Sequence, residues 1–210
     1  MNRMTGLFIG LGAILLFLLF IGFWPDGEDG LETVEALMKN PTLGTFYLLW
    51  AAVAFTMMQS GLILLSRQLI GQASGLQAQW LMLANIGFMV SITVFYVQGG
   101  LSLGAMELYA DGNLNHAGML HLIGSRATDA MPWSYGMGMF VLGWASVSGA
   151  LKPKSGADWI SGLLVIPGAL FIIGGFVSND GFWFISWIIM TLTLVILGGS
   201  LAFRRSQGAS

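Results

Sequence analysis

The sequence predicts an all-α, polytopic integral membrane protein: one domain over residues 1–210, folded as a bundle of six transmembrane helices. Composition is the first reason. Hydrophobic residues make up 56% of the chain and charged residues 9%, with a mean hydropathy of +0.79. A soluble domain carries roughly 25% charged residues, so these charges are too few for a water-facing surface. The second reason is six uncharged apolar runs, at 4–24, 43–66, 80–98, 130–151, 159–178 and 181–203. Each has about the 20 residues that a helix needs to cross a hydrocarbon core of roughly 30 Å. The third is charge segregation. If six helices alternate, Arg3, Arg67, Lys152, Lys154, Arg204 and Arg205 share one side, with only Lys39 and Arg126 opposite. The positive-inside rule makes that basic side cytoplasmic and puts both termini there. The style of the loops suits a prokaryotic cytoplasmic (inner) membrane.

The first run follows Arg3 and ends in Phe23-Trp24-Pro25 rather than in a small-residue cleavage site, so it reads as a retained helix. The outer connection 25–42 holds a short helix over 31–38, with Glu32 and Glu35 on its polar side. The second and third runs flank a polar inner segment, 68–79. The outer loop 98–129 is long enough to need structure of its own. Residues 101–110 have helical character and stop at the breaker Asp111-Gly112. Asn113 then caps a second short helix over 114–123, which Gly124 ends. Both short helices are expected to cover the outer face. Asp129 is placed to cap the fourth run, with Pro132 tolerated in its first turn. In the fifth, Pro167-Gly168 predicts a kink, and Asn179-Asp180-Gly181 is a tight turn into the sixth. Trp24, Trp133 and Trp183 fall at outer ends, and Trp80 and Trp159 at inner ends, as interfacial anchors do. Trp50, Trp144 and Trp187 lie deeper and are expected to pack between helices.

Several chemistries are excluded. The chain has no cysteine, which removes thiolate metal sites, iron–sulfur clusters and cysteine nucleophiles. With no histidine in a run there is no site for membrane haem, covalent or otherwise, and with no lysine in a run there is none for retinal. A net charge of −2 offers a nucleic acid no basic surface. No ionisable residue that would mark a proton relay lies inside a run, and no catalytic constellation is identifiable.

Two groups of residues could carry recognition. Gln59, Asn85, Tyr96, Gln98 and Tyr135 could line an intramembrane pocket, with Gln59 and Asn85 bonding across the second and third helices. The outer loop gathers Glu107, Asp111, His116, His121, Arg126 and Asp129 into a polar cluster. His116 and Met119 share a helical face, so His116, Met119 and His121 are the candidate metal ligands. Five residues separate the histidines, however, and that puts them on different faces.

The first functional expectation is a non-catalytic membrane subunit or scaffold in the lipid bilayer, packing on other subunits or on its own copies through glycine-rich helix faces. The 30 glycines motivate it, because small residues let helices approach closely. A binder or carrier of a small neutral or lipid-like molecule is the second. A metal-dependent site at the outer loop is the third.

Overall fold

A computed structural model of the chain describes residues 3–25, 27, 30–148, 157–177 and 180–203. Among these every regular element is helical: α1 (Arg3–Gly22), α2 (Gly30–Met38), α3 (Pro41–Ile70), α4 (Gly75–Ala110), α5 (Leu114–Thr128), a π-helical turn (Pro132–Gly136) leading into α6 (Met137–Val147), α7 (Ala157–Gly162), α8 (Val165–Gly174) and α9 (Asp180–Phe203). Four helices are long and apolar enough to cross a membrane: α1, α3, α4 and α9.

Local chemistry sets the ends. Asn40 caps α3, its Oδ1 accepting from the Leu43 amide at 3.2 Å, and Pro41 supplies the first turn, where no intrahelical donor is needed. Between α3 and α4 the chain turns at Gly75, whose φ of +58° suits a residue without Cβ. The fifth apolar run is broken rather than continuous. Pro167 has no N–H for the Leu163 carbonyl, one turn upstream, and its ring crowds that carbonyl. Leu163 O therefore accepts from Ile166 instead, and the chain turns between α7 and α8. The break thus precedes the proline instead of centring on Pro167-Gly168.

The helices close into a ring in chain order. Helix α1 packs on α3, α3 on α4, α4 on the π turn and α6, α6 on α7 and α8, α8 on α9, and α9 back on α1. Inside lies one apolar core that includes Ile9, Leu16, Phe55, Met58, Phe88, Tyr135, Met139 and Leu194. Outside, large apolar side chains such as Leu11, Leu18, Val53, Ile86 and Leu192 are exposed, while Gln59, Ser91 and Ser186 are fully buried. That inversion fits a hydrocarbon surrounding.

Glycines set the closeness of the ring. A Cβ at Gly6 would come within 2.5 Å of the Gly198 carbonyl, and one at Gly12 within 2.5 Å of the Met58 amide nitrogen. At Gly168 it would overlap the Phe140 backbone, and at Gly143 it would approach the Val165 amide nitrogen to 2.5 Å. These positions are used up by contacts within the chain.

The long outer loop expected over 98–129 takes a different form. Helix α4 runs unbroken through Gly99-Gly100 to Ala110, so residues 101–110 extend the third helix rather than forming a separate one. Two interior glycines cost about 1 kcal/mol each relative to alanine. Packing offsets that cost: Ser102, Ala105 and Met106 on this extension are buried, and it packs against α2 and α5. The turn at Asp111-Gly112 is as expected, with Gly112 at φ +79°. Helix α5 continues past Gly124, which serves close packing against Leu101 and Gln98 instead of ending the helix. Asp129 closes α5 and does not cap the next helix. In α2, Val34 and Leu37 are buried and Glu35 is exposed, so α2, the extension of α4 and α5 form a three-helix cap at one end of the ring. Trp50 and Trp187 are partly buried as expected, but Trp144 points outward, 54% exposed, with its ring beside Phe140. The inner connection, the turn at Asn179 and the basic C-terminus lie wholly or partly outside the described residues.

Candidate functional site: an aromatic chamber floored by Tyr135

Tyr135 sits at the centre of the ring, 1% exposed. Its place follows from the π turn. Pro132 leaves the Thr128 carbonyl without its usual donor, and the widened turn that follows carries Tyr135 inward. Gly136 and Gly138 flank it. A Cβ at Gly136 would lie 2.9 Å from that of Phe171, and one at Gly138 would lie 2.8 Å from the Phe88 ring. The neighbours therefore close in around the tyrosine.

Aromatic rings continue outward from it. Tyr135 is 5.6 Å from Phe171, 6.1 Å from Phe55 and 6.4 Å from Phe88, centroid to centroid. Phe171 in turn meets Trp183 at 5.7 Å and Trp187 at 5.6 Å, Trp187 meets Phe20 at 5.8 Å, and Phe55 stacks on Phe95 at 4.4 Å. Such pairs each contribute about 0.5–1.5 kcal/mol beyond area burial. The Tyr135 hydroxyl donates to Met190 Sδ at 2.9 Å and lies 3.7 Å from Met58 Sδ. Sulfur is a weak acceptor, so the phenol is poorly engaged by the protein.

Between these rings lies a cavity of about 490 Å³, with walls that include Phe20, Phe95, Phe171, Trp183 and Trp187 and a floor at Tyr135. Gln98, Arg126, Thr128 and Asp129 supply its polar edge. The Arg126 guanidinium donates to Asp129 Oδ2 at 3.4 Å, with both side chains mostly exposed. Ligand pockets of roughly 300–1,000 Å³ with mainly apolar walls and few polar groups are the common form of a small-molecule site.

The structure distributes the five pocket candidates. Gln98 and Tyr135 line this chamber. Tyr96 borders an adjacent cavity of about 230 Å³, which Gln98 and Phe20 also line, and its hydroxyl accepts from Thr56 Oγ1 at 3.1 Å. Gln59 and Asn85 are buried away from the described cavities. They do not bond to each other, because neither Gln59 amide atom nor Asn85 Oδ1 has a partner. Other amides do reach across helices: Gln77 Nε2 donates to the Ala145 carbonyl at 2.7 Å, and the half-buried Gln68 Nε2 to Thr5 Oγ1 at 3.1 Å.

The outer-loop cluster is also divided. His121 is buried against α4, its Nδ1 3.2 Å from Ser102 Oγ, and burial holds its pKa below the ordinary value of 6.5. His116 is exposed and pairs with Asn113 Oδ1 at 2.6 Å, which takes the cap side chain away from the helix backbone. Met119 is exposed too. No group of three or more acidic or histidine side chains converges on a metal position among the described residues. Glu107 and Asp111 stand exposed at the end of α4, and only Arg126 and Asp129 reach the chamber.

The sequence reading missed the aromatic walls because it sought polar residues within the runs. The available signal was the clustering of Phe20, Phe95, Phe171, Trp183 and Trp187 near the ends that share one side. No family model matches the chain, and no curated protein or solved structure matches it either.

Proposed function

We propose that this is a six-crossing membrane protein, with cytoplasmic termini and the cap outside, that binds or carries a small neutral or lipid-like molecule in the Tyr135 chamber. One observation carries the reading: a space of about 490 Å³ that reaches from the exposed Arg126 and Asp129 inward to Tyr135, with Phe20, Phe95, Phe171, Trp183 and Trp187 among its walls. Its walls suit an apolar or amphiphilic body, with Gln98, Thr128, Arg126 and Asp129 as the polar groups that could orient it. Broken α7–α8 completes the six crossings, which non-helical backbone permits where it is buried in protein.

The subunit reading rested on glycine faces, and Gly6, Gly12, Gly143 and Gly168 are filled by the chain's own backbone and side chains. Native mass spectrometry of gently extracted protein separates the two. The chamber reading expects one chain with a bound mass of small-molecule size, lost in Trp183→Ala and in Phe171→Ala while helical circular dichroism is retained. A chain that carries no such mass and travels with a reproducible protein partner would sink it.

A further inference from the structure

A second space lies beside the chamber. Helices α1 and α9 pack antiparallel, and their two ends differ. At one end Gly6 and Gly10 lie against Gly198, so close that a Cβ at Gly198 would come within 2.5 Å of the Gly10 amide nitrogen. At the other end the same helices carry Phe17, Phe20, Ile21, Phe184 and Trp187, and a cleft of about 410 Å³ separates them. Two of its lining residues, Phe20 and Trp187, also line the chamber. They meet at 5.8 Å and 48°, in neither a stacked nor an edge-on arrangement, and form the partition between the two spaces. Ile21 and Phe184 are exposed on the cleft's outer side. Both helices are long and apolar enough to cross a membrane, and the cleft lies within two turns of the end of α1 and the start of α9, where the upper part of an acyl chain would meet it.

Resting on the chamber reading, we infer that Phe20 and Trp187 form a lateral gate through which the chamber takes a zwitterionic phospholipid from the bilayer, one acyl chain lying in the α1/α9 cleft. The edge of the chamber carries one positive and one negative side chain, Arg126 and Asp129, already within 3.4 Å. A neutral headgroup with its own phosphate and ammonium complements that pair: phosphate to the guanidinium, ammonium to the carboxylate. A purely anionic headgroup would satisfy Arg126 and be repelled by Asp129. The chain needs only apolar contact, which the cleft supplies.

The test is photolabelling in vesicles of a phosphoethanolamine lipid carrying a diazirine on one acyl chain, with adducts mapped by mass spectrometry. Expected are adducts on Phe17, Ile21 or Phe184 well above those on Leu7, Leu11 and Ile14 of α1. Ile21→Trp should remove them, and Phe20→Ala should move adducts inward to Phe171 and Trp183. A phosphoglycerol lipid with the same diazirine should label the cleft several-fold less. Labelling of the cleft no stronger than at Leu7, Leu11 and Ile14 would overturn the gate, since that is the pattern of surrounding lipid. Chamber adducts that Ile21→Trp leaves untouched would overturn the lateral route while leaving the chamber as a binding site. Adducts in neither place would overturn both, and equal labelling by the two lipids would overturn the headgroup assignment.

Discussion

The ring and the cap differ in how completely they pair buried polar groups. In the cap, Ser102 and His121 pair across α4 and α5 at 3.2 Å, and the apolar contacts are small clusters around Val34, Ala105 and Ala117 and around Leu37, Leu48 and Met106. The ring pairs some of its buried groups, such as Gln77 with the Ala145 carbonyl and Ser91 with Ser134, and leaves others unpaired. In the ring a single large core surrounds polar atoms without partners: both amide atoms of Gln59, Asn85 Oδ1 and Thr191 Oγ1. The cap follows the rules of a water-soluble surface, where buried polar groups find partners. The ring derives its stability from close backbone approach and ring stacking, and it carries unpaired amides at a cost.

The comparison is broken most forcefully at a glycine. Gly12→Leu drives a side chain into the Met58 and Ala54 backbone. It should cost about 3 kcal/mol or more, read as loss of the folded fraction in detergent, while Gly22→Leu, which meets no neighbouring atom within 4 Å, should fold normally. Equal behaviour of the two would refute the close-approach account. Gln59→Leu comes next. Replacing an unpartnered buried amide by an isosteric apolar group should stabilise the ring by about 1–2 kcal/mol, seen as a higher thermal midpoint. Gln77→Leu, which breaks a bond to Ala145 O, should lower it. A destabilised Gln59→Leu would mean that the amide has a partner after all.

A third effect separates the regions by pH. Burial lowers the His121 pKa below 6.5, so the folded cap prefers the neutral ring. Its contribution is fully present above about pH 6.5 and is lost as the pH falls toward the folded value. Protection of α5 amides relative to their intrinsic exchange rate should fall as the pH drops below about 6.5, with protection in α3 and α9 unchanged. An unchanged α5 would show that His121 is not held neutral. The smallest effect belongs to Asp129→Asn, which removes an exposed ion pair and should shift stability by about 0.5 kcal/mol or less while weakening zwitterionic lipid labelling.

The sequence made the cap's faces legible because α2 alternates buried Val34 and Leu37 with exposed Glu35 at helical spacing, and Asp111-Gly112 punctuates the chain. It did not reveal that Gly99-Gly100 stays helical, since packing by Ser102, Ala105 and Met106 decides that and is invisible locally. Within the ring, apolar character is nearly uniform, so periodicity cannot say which face turns inward. Gln98 and Tyr135 could be singled out as chamber candidates because they are polar in an apolar run. Phe20 and Trp187 are harder to single out, because Phe20 is one of many aromatic residues in the runs and Trp187 reads as ordinary packing between helices. The distinction between Gln59, enclosed and unpaired, and Gln77, bonded to a neighbouring helix, exists only once the helices are assembled.

The unbroken α4 has a mechanical consequence. Its 36 residues span about 54 Å, well beyond the roughly 30 Å of a hydrocarbon layer, and the stretch from Gly100 to Ala110 forms a lever arm of about 15 Å. A tilt of about 10° at its base would sweep the tip through about 3 Å. Gly99 and Gly100, with open space where side chains would stand, sit at the fulcrum. Stiffening that point with alanines would couple the chamber's edge more tightly to the bundle, and loosening it would let the cap swing on its own.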